Sequence, residues 1–490
     1  MWNGDYMKIK NNYTMMTDFY ELTMANGYFE AGKKDEISYF DVFYRTIPDK
    51  AGYAICAGLE QVVDYIKDLH FDNEDIEYLR SKKCFSEEFL KYLSEFKFKG
   101  DIYAMPEGTP IFPNEPFMII KGTAIEAQFI ETFVLAELNH QTLIATKTSR
   151  IVRAAQGKLI AEFGARRAHG AEAAILGARA AYIAGCNSSS NVQADLTYGV
   201  PASGTMAHAW VQMFGDELEA FKQYCRIYPD NALLLVDTYD VLKSGVPNAI
   251  KAFNEVLLPL GKRPKGIRLD SGDIAYLSKK CRLMLDKAGF EDCKIYASNS
   301  LDEYIIRDLL FQGAKIDAFG VGERLITSKS NPVFDGVYKL AAVEDKDGNI
   351  IPRIKISENA GKITTPHFKK VYRFYSKENH KAEADLLSVY DEVLDFTKPF
   401  ELFDPNDTWK RKTLENYEVE ELLKPIFIKG ELVYNLPTID EIRAYCKQQV
   451  DSLWDEVKRF ENPHNYYVDL TQKLWDIKRQ LLVSKRNNKK

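Results

Sequence analysis

The sequence predicts an α/β fold organised around a parallel sheet. Two observations carry that reading. In the middle third, short apolar runs end at small or polar residues, and each is followed by a helical stretch. The run ends at Asp237, Asp270, Ser298 and Gly320 lie about one β-α unit apart, the separation that parallel strands joined by a crossover helix require. Polar residues and glycines at strand C-termini suit the active face of a (β/α) barrel. An open doubly wound sheet has the same rhythm, so periodicity alone leaves closure undecided.

The elements follow in order. Residues 38–47 (SYFDVFYRTI) read as an aromatic-rich strand and residues 111–121 (IFPNEPFMIIK) as a β-branched one, with turns at 106–108 and 113–114. A long helix begins at Thr123. Ile125, Phe129 and Phe133 form one stripe and Ile130, Val134 and Leu138 its neighbour, so the helix is buried on more than one side. The runs 159–163, 181–185, 233–236, 266–269, 294–297 and 316–320 read as the strands of the middle third. Beyond it, 371–375 and 387–390 read as strands. Thr438 with Glu441 forms a capping box that opens a helix to about Phe460, stopped by Pro463. The tail 484–490 (SKRNNKK) frays in solvent. Texture divides the chain into an N-terminal mixed α/β domain (1–122), an α/β catalytic domain (123–344) and a C-terminal α/β region (345–490).

Composition narrows the function. The chain has 490 residues, 46% hydrophobic and 28% charged, which fits a globular protein of two or three domains. Its 65 basic and 71 acidic residues give a net charge of −6. A nucleic-acid partner is therefore not expected, while a local basic site for a phosphorylated small molecule stays open. No run of about 18 apolar residues occurs, and Met1–Lys10 lacks an apolar core, so neither membrane insertion nor secretion is expected. The seven cysteines are odd in number and dispersed, without a CxxC pair. Reduced thiols and a cytoplasmic location are the expectation.

Several segments could carry chemistry. There is no GxxxxGK[ST], so a P-loop is excluded, and Gly320-Val321-Gly322 is only part of a dinucleotide fingerprint. Arg166 and Arg167 follow the strand ending at Phe163, where they could fork onto phosphate or merely bridge on the surface. Arg150 and Arg153, one helical turn apart before that strand, could add positive potential or be solvated. Thr205 lies three residues before His208 and could cap a helix start that favours an anion; the alternative is a buried histidine beside Trp210. Arg268, Asp270 and Asp273 surround one strand end, and Asp237 follows another. Carboxylates there suit Mg²⁺ or sugar hydroxyls, or simply cap a turn. Ser298, Asn299 and residues 320–322 supply small donors for a phosphate nest. Together these residues favour a ligand with several phosphates and a sugar.

The segments TDFYELTMANGYF (17–29), FDVFYRTIP (40–48), EFGARRAHG (162–170), SGTMAHAW (203–210), GIRLDSGD (266–273), YASNSLDE (296–303), GVGERLITS (320–328), GVYKLAAVE (336–344) and NPHNYYVDL (462–470) resemble the nicotinate phosphoribosyltransferase family across nearly the whole chain. The resemblance implies an irregular (β/α) barrel beside an N-terminal α/β domain, with a C-terminal segment packed on it. It implies a homodimer with shared active sites. The implied reaction makes nicotinate mononucleotide and pyrophosphate from nicotinate and phosphoribosyl pyrophosphate, coupled to ATP hydrolysis, with ATP and Mg²⁺ as cofactors, in NAD salvage. By the same resemblance His208 is the phosphohistidine, and Tyr20 of the other subunit stacks the pyridine ring against Phe163. Thr205 and Arg268 lie near the nicotinate carboxylate. Arg166, Ser298, Asn299 and Gly322 contact the 5′-phosphate, and Asp237, Asp270 and Asp273 serve ribose, Mg²⁺ and pyrophosphate. Catalysis is assigned to His208, Asp237 and Asp270, and the metal to Asp237 and Asp270. Glu323 departs from relatives that have threonine there; an acid beside a phosphate nest is unfavourable, which makes Thr327 the substitute contact. Segment 185–191 (GCNSSSN) has no acid to repel nicotinate, favouring it over the amide. The alternatives are nicotinamide or quinolinate phosphoribosyl transfer, or a non-catalytic regulator that binds a phosphoribosyl ligand.

Overall fold

The middle third folds as six parallel strands. A computed structural model describes residues 12–357 and 362–487, the last three by backbone alone. Met1–Lys10 and residues 488–490 lie outside the described residues, while 484–487, expected to fray, continue the helix Gln472–Asn487. The described chain divides into two compact units. One is Leu143–Pro332; the other joins the residues up to Thr142 with those from Val333 onward.

In the unit Leu143–Pro332 the strands are β1 (Leu159–Glu162), β2 (Ser188–Ser189), β3 (Leu233–Leu235), β4 (Gly266–Leu269), β5 (Lys294–Ser298) and β6 (Ala318–Val321), in the order β2-β1-β6-β5-β4-β3. Every pairing is parallel. Their register sets Arg268, Tyr296, Ala318 and Leu159 in one row. Because side chains alternate, Ser298, Gly320, Ala161 and Ser188 form the next row on the same face. Helix α1 (Ala171–Ile183) follows β1, α2 (His208–Phe214) and α3 (Glu217–Ile227) precede β3, and α4 (Ile274–Lys287) joins β4 to β5.

Two expectations change here. Residues 181–183 are the end of α1 rather than a strand: the alanine-rich sequence AEAAILGARAAYI favours helix, and the strand is the short Ser188–Ser189. A closed strand barrel is also not seen. β2 and β3 are the edges of the sheet, with no ladder between them among the described residues. Irregular backbone from 200 to 205 lies there instead. The Ser189 amide donates to the Pro201 carbonyl (3.0 Å), the Ser203 amide donates to the Ser189 carbonyl (2.8 Å), and the Thr205 hydroxyl donates to the Leu233 carbonyl (2.5 Å).

The other unit is built on mainly antiparallel sheets, with one parallel pairing, Ala382–Val389 with Val468–Leu470. Strand Ile37–Tyr44 pairs with Gly336–Glu344 on one side and Met118–Thr123 on the other. Asp101–Ala104 extends that sheet and receives Lys424–Ile428 from the C-terminal chain. A four-stranded sheet holds Tyr417–Glu421, Lys369–Ser376, Ala382–Val389 and Val468–Leu470. The single strand read over 111–121 is two, Pro110–Ile111 and Met118–Thr123, because the Pro113-Asn114 turn with Asn114 at φ 69° separates them. Thr123 caps with Glu126 and opens a helix that breaks at Ile130 and resumes as Glu131–Ala154. The Thr438–Glu441 capping box forms, but its helix ends at Ser452. Leu453 turns extended and buried, and the Lys381 ammonium donates to the carbonyls of Asp451 (2.7 Å) and Leu453 (3.0 Å) at that end.

Candidate active site

The carboxyl ends of β1, β4, β5 and β6 bring the predicted polar residues of the middle third to one edge of the sheet. Arg268 on β4 is the hub. Its Nε donates to Ser298 Oγ (2.9 Å), a terminal nitrogen donates to Asp270 (2.9 Å), and its guanidinium lies over the Phe163 ring, 5.6 Å from the centroid. The Ser298 hydroxyl donates to the same Asp270 oxygen. Asp237, just past β3, accepts from the Asp270 amide (2.8 Å) and the Ser271 hydroxyl (2.6 Å) through one carboxylate oxygen. Four strand ends are thereby tied into one polar rim.

Beneath that rim is a cavity of about 490 Å³. Phe163, Arg268, Ser298 and Gly320 line it from the sheet, Ser188, Ser203 and Thr205 from the edge, and Tyr224 and Tyr228 from the helical side. Size and lining suit a small organic ligand with a few fixed polar contacts. Gly320 makes the ring position available: a Cβ there would stand 2.5 Å from a Phe163 ring carbon. Gly322 is less constrained: its Cβ would meet the Phe163 carbonyl oxygen at 3.1 Å, a tight contact and not an overlap.

His208 is the first residue of α2 and is half-buried. Its Nδ1 lies 3.1 Å from Thr238 Oγ1, one residue beyond Asp237, so the imidazole stands beside the aspartate end of the rim and not in hydrocarbon. Thr205 does not cap this helix. Ala207 is at the cap, and the Thr205 hydroxyl is spent on Leu233. Arg166 and Arg167 lie on a single exposed turn, Ala165–Arg167, after β1. Asn299 is exposed and held at φ 93°, followed by Ser300 at φ 49°. Consecutive left-handed residues at a strand end store strain of the kind found at binding sites.

Other predicted residues are already engaged. Asp273 accepts from the Tyr276 amide (2.9 Å) and caps α4, the turn-capping alternative. The Thr327 hydroxyl donates to the Glu323 carbonyl (2.7 Å). The Glu323 carboxylate is bonded to the Lys329 ammonium (2.6 Å), which holds its pKa below the usual range. A paired Glu323 therefore brings less negative charge to the nest than its identity suggests. Arg150 is neither solvated nor a source of open positive potential: it is buried, with its Nε bonded to Glu303 (2.8 Å). Tyr20 belongs to the other unit, on helix Phe19–Glu30, with an exposed ring and a hydroxyl whose pKa is raised by partial burial and by Glu131.

Sequence reasoning missed Glu162 and Tyr224. Glu162 is buried, accepts from the Gly164 amide and the Ser189 hydroxyl (2.7 Å), and so fixes the β1–β2 ends; burial raises its pKa. The one signal was an acid inside the apolar run LIAEF. Tyr224 lines the cavity from α3 and offered no motif.

The donor set fits a hard cation. Asp237 Oδ1 is buried and has no hydrogen-bond partner, while its other oxygen is satisfied. No cluster of three acidic, histidine or cysteine ligands occurs among the described residues. Mg²⁺ does not need one, since it is commonly held by one or two carboxylates together with substrate phosphates and water.

The unit Leu143–Pro332 therefore defines an α/β protein whose polar residues gather at the carboxyl edge of a parallel sheet, where open α/β sheets generally take their ligands. Comparison makes the family specific. Residues 15–139 match the nicotinate phosphoribosyltransferase N-terminal domain, 159–384 the nicotinate phosphoribosyltransferase family, and 368–478 its C-terminal domain. The nicotinate phosphoribosyltransferase of Bacillus subtilis is 44% identical over 469 residues, covering 95% of this chain and 94% of that one. A nicotinate phosphoribosyltransferase of Mycobacterium tuberculosis is 39% identical over 464 residues, 94% and 92% of the two chains. The crystal structure of human nicotinic acid phosphoribosyltransferase superposes with a TM-score of 0.82 at 26% identity, covering 95% of this chain and all of that one. The chain belongs to the nicotinate phosphoribosyltransferase family.

Proposed function

We propose that the protein joins nicotinate to the ribose of phosphoribosyl pyrophosphate, giving nicotinate mononucleotide and pyrophosphate, with ATP hydrolysis coupled through His208. The observation that carries this reading is the Arg268–Phe163 arrangement: a cation fixed beside an aromatic face at the mouth of a cavity of substrate size. A flat pyridine carboxylate can stack on that ring and place its charge toward Arg268 or the Ser188 and Ser203 hydroxyls.

The chemistry is a displacement at the anomeric carbon. The pyridine nitrogen forms the new C–N bond as the C–O bond to pyrophosphate breaks, and the oxygen leaves with the electron pair. Orientation and charge stabilisation supply most of the rate enhancement in such a step. Phe163 fixes the ring angle. Ser298, Asn299, Gly322 and Arg166 are assigned to the 5′-phosphate, with Thr327 the weaker candidate because its hydroxyl is engaged. Asp237 and Asp270 would hold Mg²⁺, which supplies charge neutralisation to pyrophosphate when bound. With Nδ1 engaged by Thr238, Nε2 is the His208 nitrogen assigned to the phosphoryl group. The backbone at 200–205 is read as completing an irregular barrel between β2 and β3.

Pyrophosphate release from phosphoribosyl pyrophosphate, followed with nicotinate, nicotinamide and quinolinate and with or without ATP, tests this reading. Release with nicotinate, stimulated by ATP, supports it; equal kcat/KM for the amide and the acid overturns the substrate assignment. His208→Ala should lose both ATP stimulation and ³²P incorporation from γ-labelled ATP. A homodimer with Tyr20 acting across subunits makes a separate demand: mixing inactive Tyr20→Ala and Phe163→Ala proteins should restore turnover in mixed dimers.

A further inference from the structure

Strands β5 and β6 run side by side, with Ser298 opposite Gly320 in the ladder. Just beyond that rung both strands end. On one side Asn299 and Ser300 take left-handed conformations, at φ 93° and 49°; on the other, Gly322 sits at φ −112°, ψ −106°. Asp302 stands four residues past Ser298, and Arg324 four past Gly320. These two are joined: a terminal nitrogen of Arg324 donates to Asp302 Oδ2. The two segments are therefore equal in length and closed at both ends, by the ladder at one and by an ion pair at the other.

The ion pair is anchored from both directions. Asp302 Oδ1 accepts from the amides of Tyr304 (3.1 Å) and Ile305 (2.9 Å), and so caps helix Glu303–Phe311. The next residue, Glu303, is buried and takes bonds from Lys147 (2.9 Å) and Arg150 (2.8 Å) of the long helix Glu131–Ala154. The same Lys147 ammonium donates to Ser330 Oγ (2.8 Å), just past the single turn Glu323–Ile326 that carries Arg324. One lysine thus ties down both segments. The Asp302 side chain is only 14% exposed and that of Arg324 34%, so the pair is screened less than one standing free in water. Non-glycine residues persist in left-handed backbone where their surroundings over-determine them, and this frame does so for Asn299 and Ser300.

We propose that Asp302 and Arg324 are positioning residues, whose ion pair closes the two loops into a frame that holds the phosphate donors around Asn299 and Gly322 at a set separation before the ligand arrives. Neither side chain contacts the substrate. Arg324 also neutralises Asp302, which would otherwise stand as a bare carboxylate close to the nest. The proposal rests on the assignment of Ser298, Asn299 and Gly322 to the 5′-phosphate of phosphoribosyl pyrophosphate. A frame set in advance lowers the ordering cost of binding, so its loss is felt in the KM for that substrate and not in kcat.

Steady-state kinetics of pyrophosphate release by the full-length protein test it. Arg324→Met removes the pair without touching the helix cap. Asp302→Asn keeps Oδ1 for the cap and turns the atom facing Arg324 into a donor. Each should raise the KM for phosphoribosyl pyrophosphate about fivefold or more, with kcat and the KM for nicotinate within about twofold of the parent. Arg324→Lys, which keeps a cation for Asp302, should recover most of the loss. The variant carrying both Asp302→Asn and Arg324→Met should be no worse than the worse single one, since one pair is lost only once. Additive losses overturn the pairing. So does a KM raised by Arg324→Met but not by Asp302→Asn, which would make Arg324 a direct phosphate contact. A fall in kcat with an unchanged KM also overturns it, leaving the pair a contact of the fold alone. Arg166→Met and Asn299→Gly test the assignment beneath it. If neither moves the KM for phosphoribosyl pyrophosphate, the phosphate reading is overturned and the proposal with it; if either raises that KM while the pair variants do not, the frame alone is overturned.

Discussion

Arg268 and Phe163 meet cation to ring, 5.6 Å from guanidinium to centroid, across the ends of β4 and β1. Each is held by a third party. Ser298 and Asp270 fix the guanidinium, and the absence of a Cβ at Gly320 gives the ring its place. Arg268→Lys keeps the charge and loses the fork, so kcat/KM for nicotinate should fall by about 10–100-fold. Steady-state kinetics check this, and a loss smaller than twofold would remove Arg268 from the site.

Gly320→Ala tests the ring. A Cβ at 2.5 Å from Phe163 must displace it, at a cost of about 1–3 kcal/mol in stability. The KM for nicotinate should rise while ³²P incorporation at His208 is retained. Urea unfolding and a kcat-against-KM split measure the two effects; an unchanged KM would mean that the ring does not orient the substrate.

Thr238→Val removes the hydroxyl next to His208 Nδ1 and little else. Pyrophosphate release without ATP should be close to the parent, and ATP stimulation should drop severalfold because the imidazole loses its fixed orientation. Equal stimulation in the two proteins would show that this contact has no positioning role.

Asp385→Asn breaks a pair in which both partners are fully buried: Asp385 accepts two bonds from Arg373, at 2.8 and 2.7 Å. The arginine would lose the carboxylate that grips it, with the buried Glu115 carboxyl nearby only a partial substitute, costing about 3–5 kcal/mol. The midpoint of urea denaturation reads this directly, and a shift equivalent to less than about 1 kcal/mol would contradict it.

Glu21 gives a pH dependence. Burial raises its pKa to about 7, despite hydrogen bonds from Thr132 and Thr17 that act the other way. Between its ordinary value near 4.5 and about 7 the folded chain holds a proton that the unfolded chain has released. Its contribution therefore falls as pH rises through that window. Glu21→Gln should flatten the decline in Tm across it, and an identical slope in parent and variant would exclude this carboxyl as the source.

Much of the architecture was legible because parallel strands buried on both faces leave short apolar runs with polar ends, as at 233–236 and 266–269. Residues 181–185 misled because alanine and isoleucine serve a buried helix as well as a strand, and only the tertiary setting decides. The Asp237, Asp270 and Ser298 rim could be named from strand ends, but not its wiring, since the bonds that join them cross three strands and have no local signature. Thr205 was placed three residues before His208 and read as a cap; its hydroxyl finds a carbonyl 28 residues away instead. Glu162 stayed hidden because a buried acid looks, in sequence, like an interruption.

The seam between β2 and β3 carries a mechanical implication. Backbone from 200 to 205 is tacked down by a few isolated bonds instead of a continuous ladder, so it can detach without unzipping any strand. Amide protons there should exchange with deuterium well ahead of those in β4 and β5, since segments with few cooperative bonds open at low free energy. His208 opens α2 three residues beyond that seam, so any displacement of the seam is passed to the backbone that carries its imidazole.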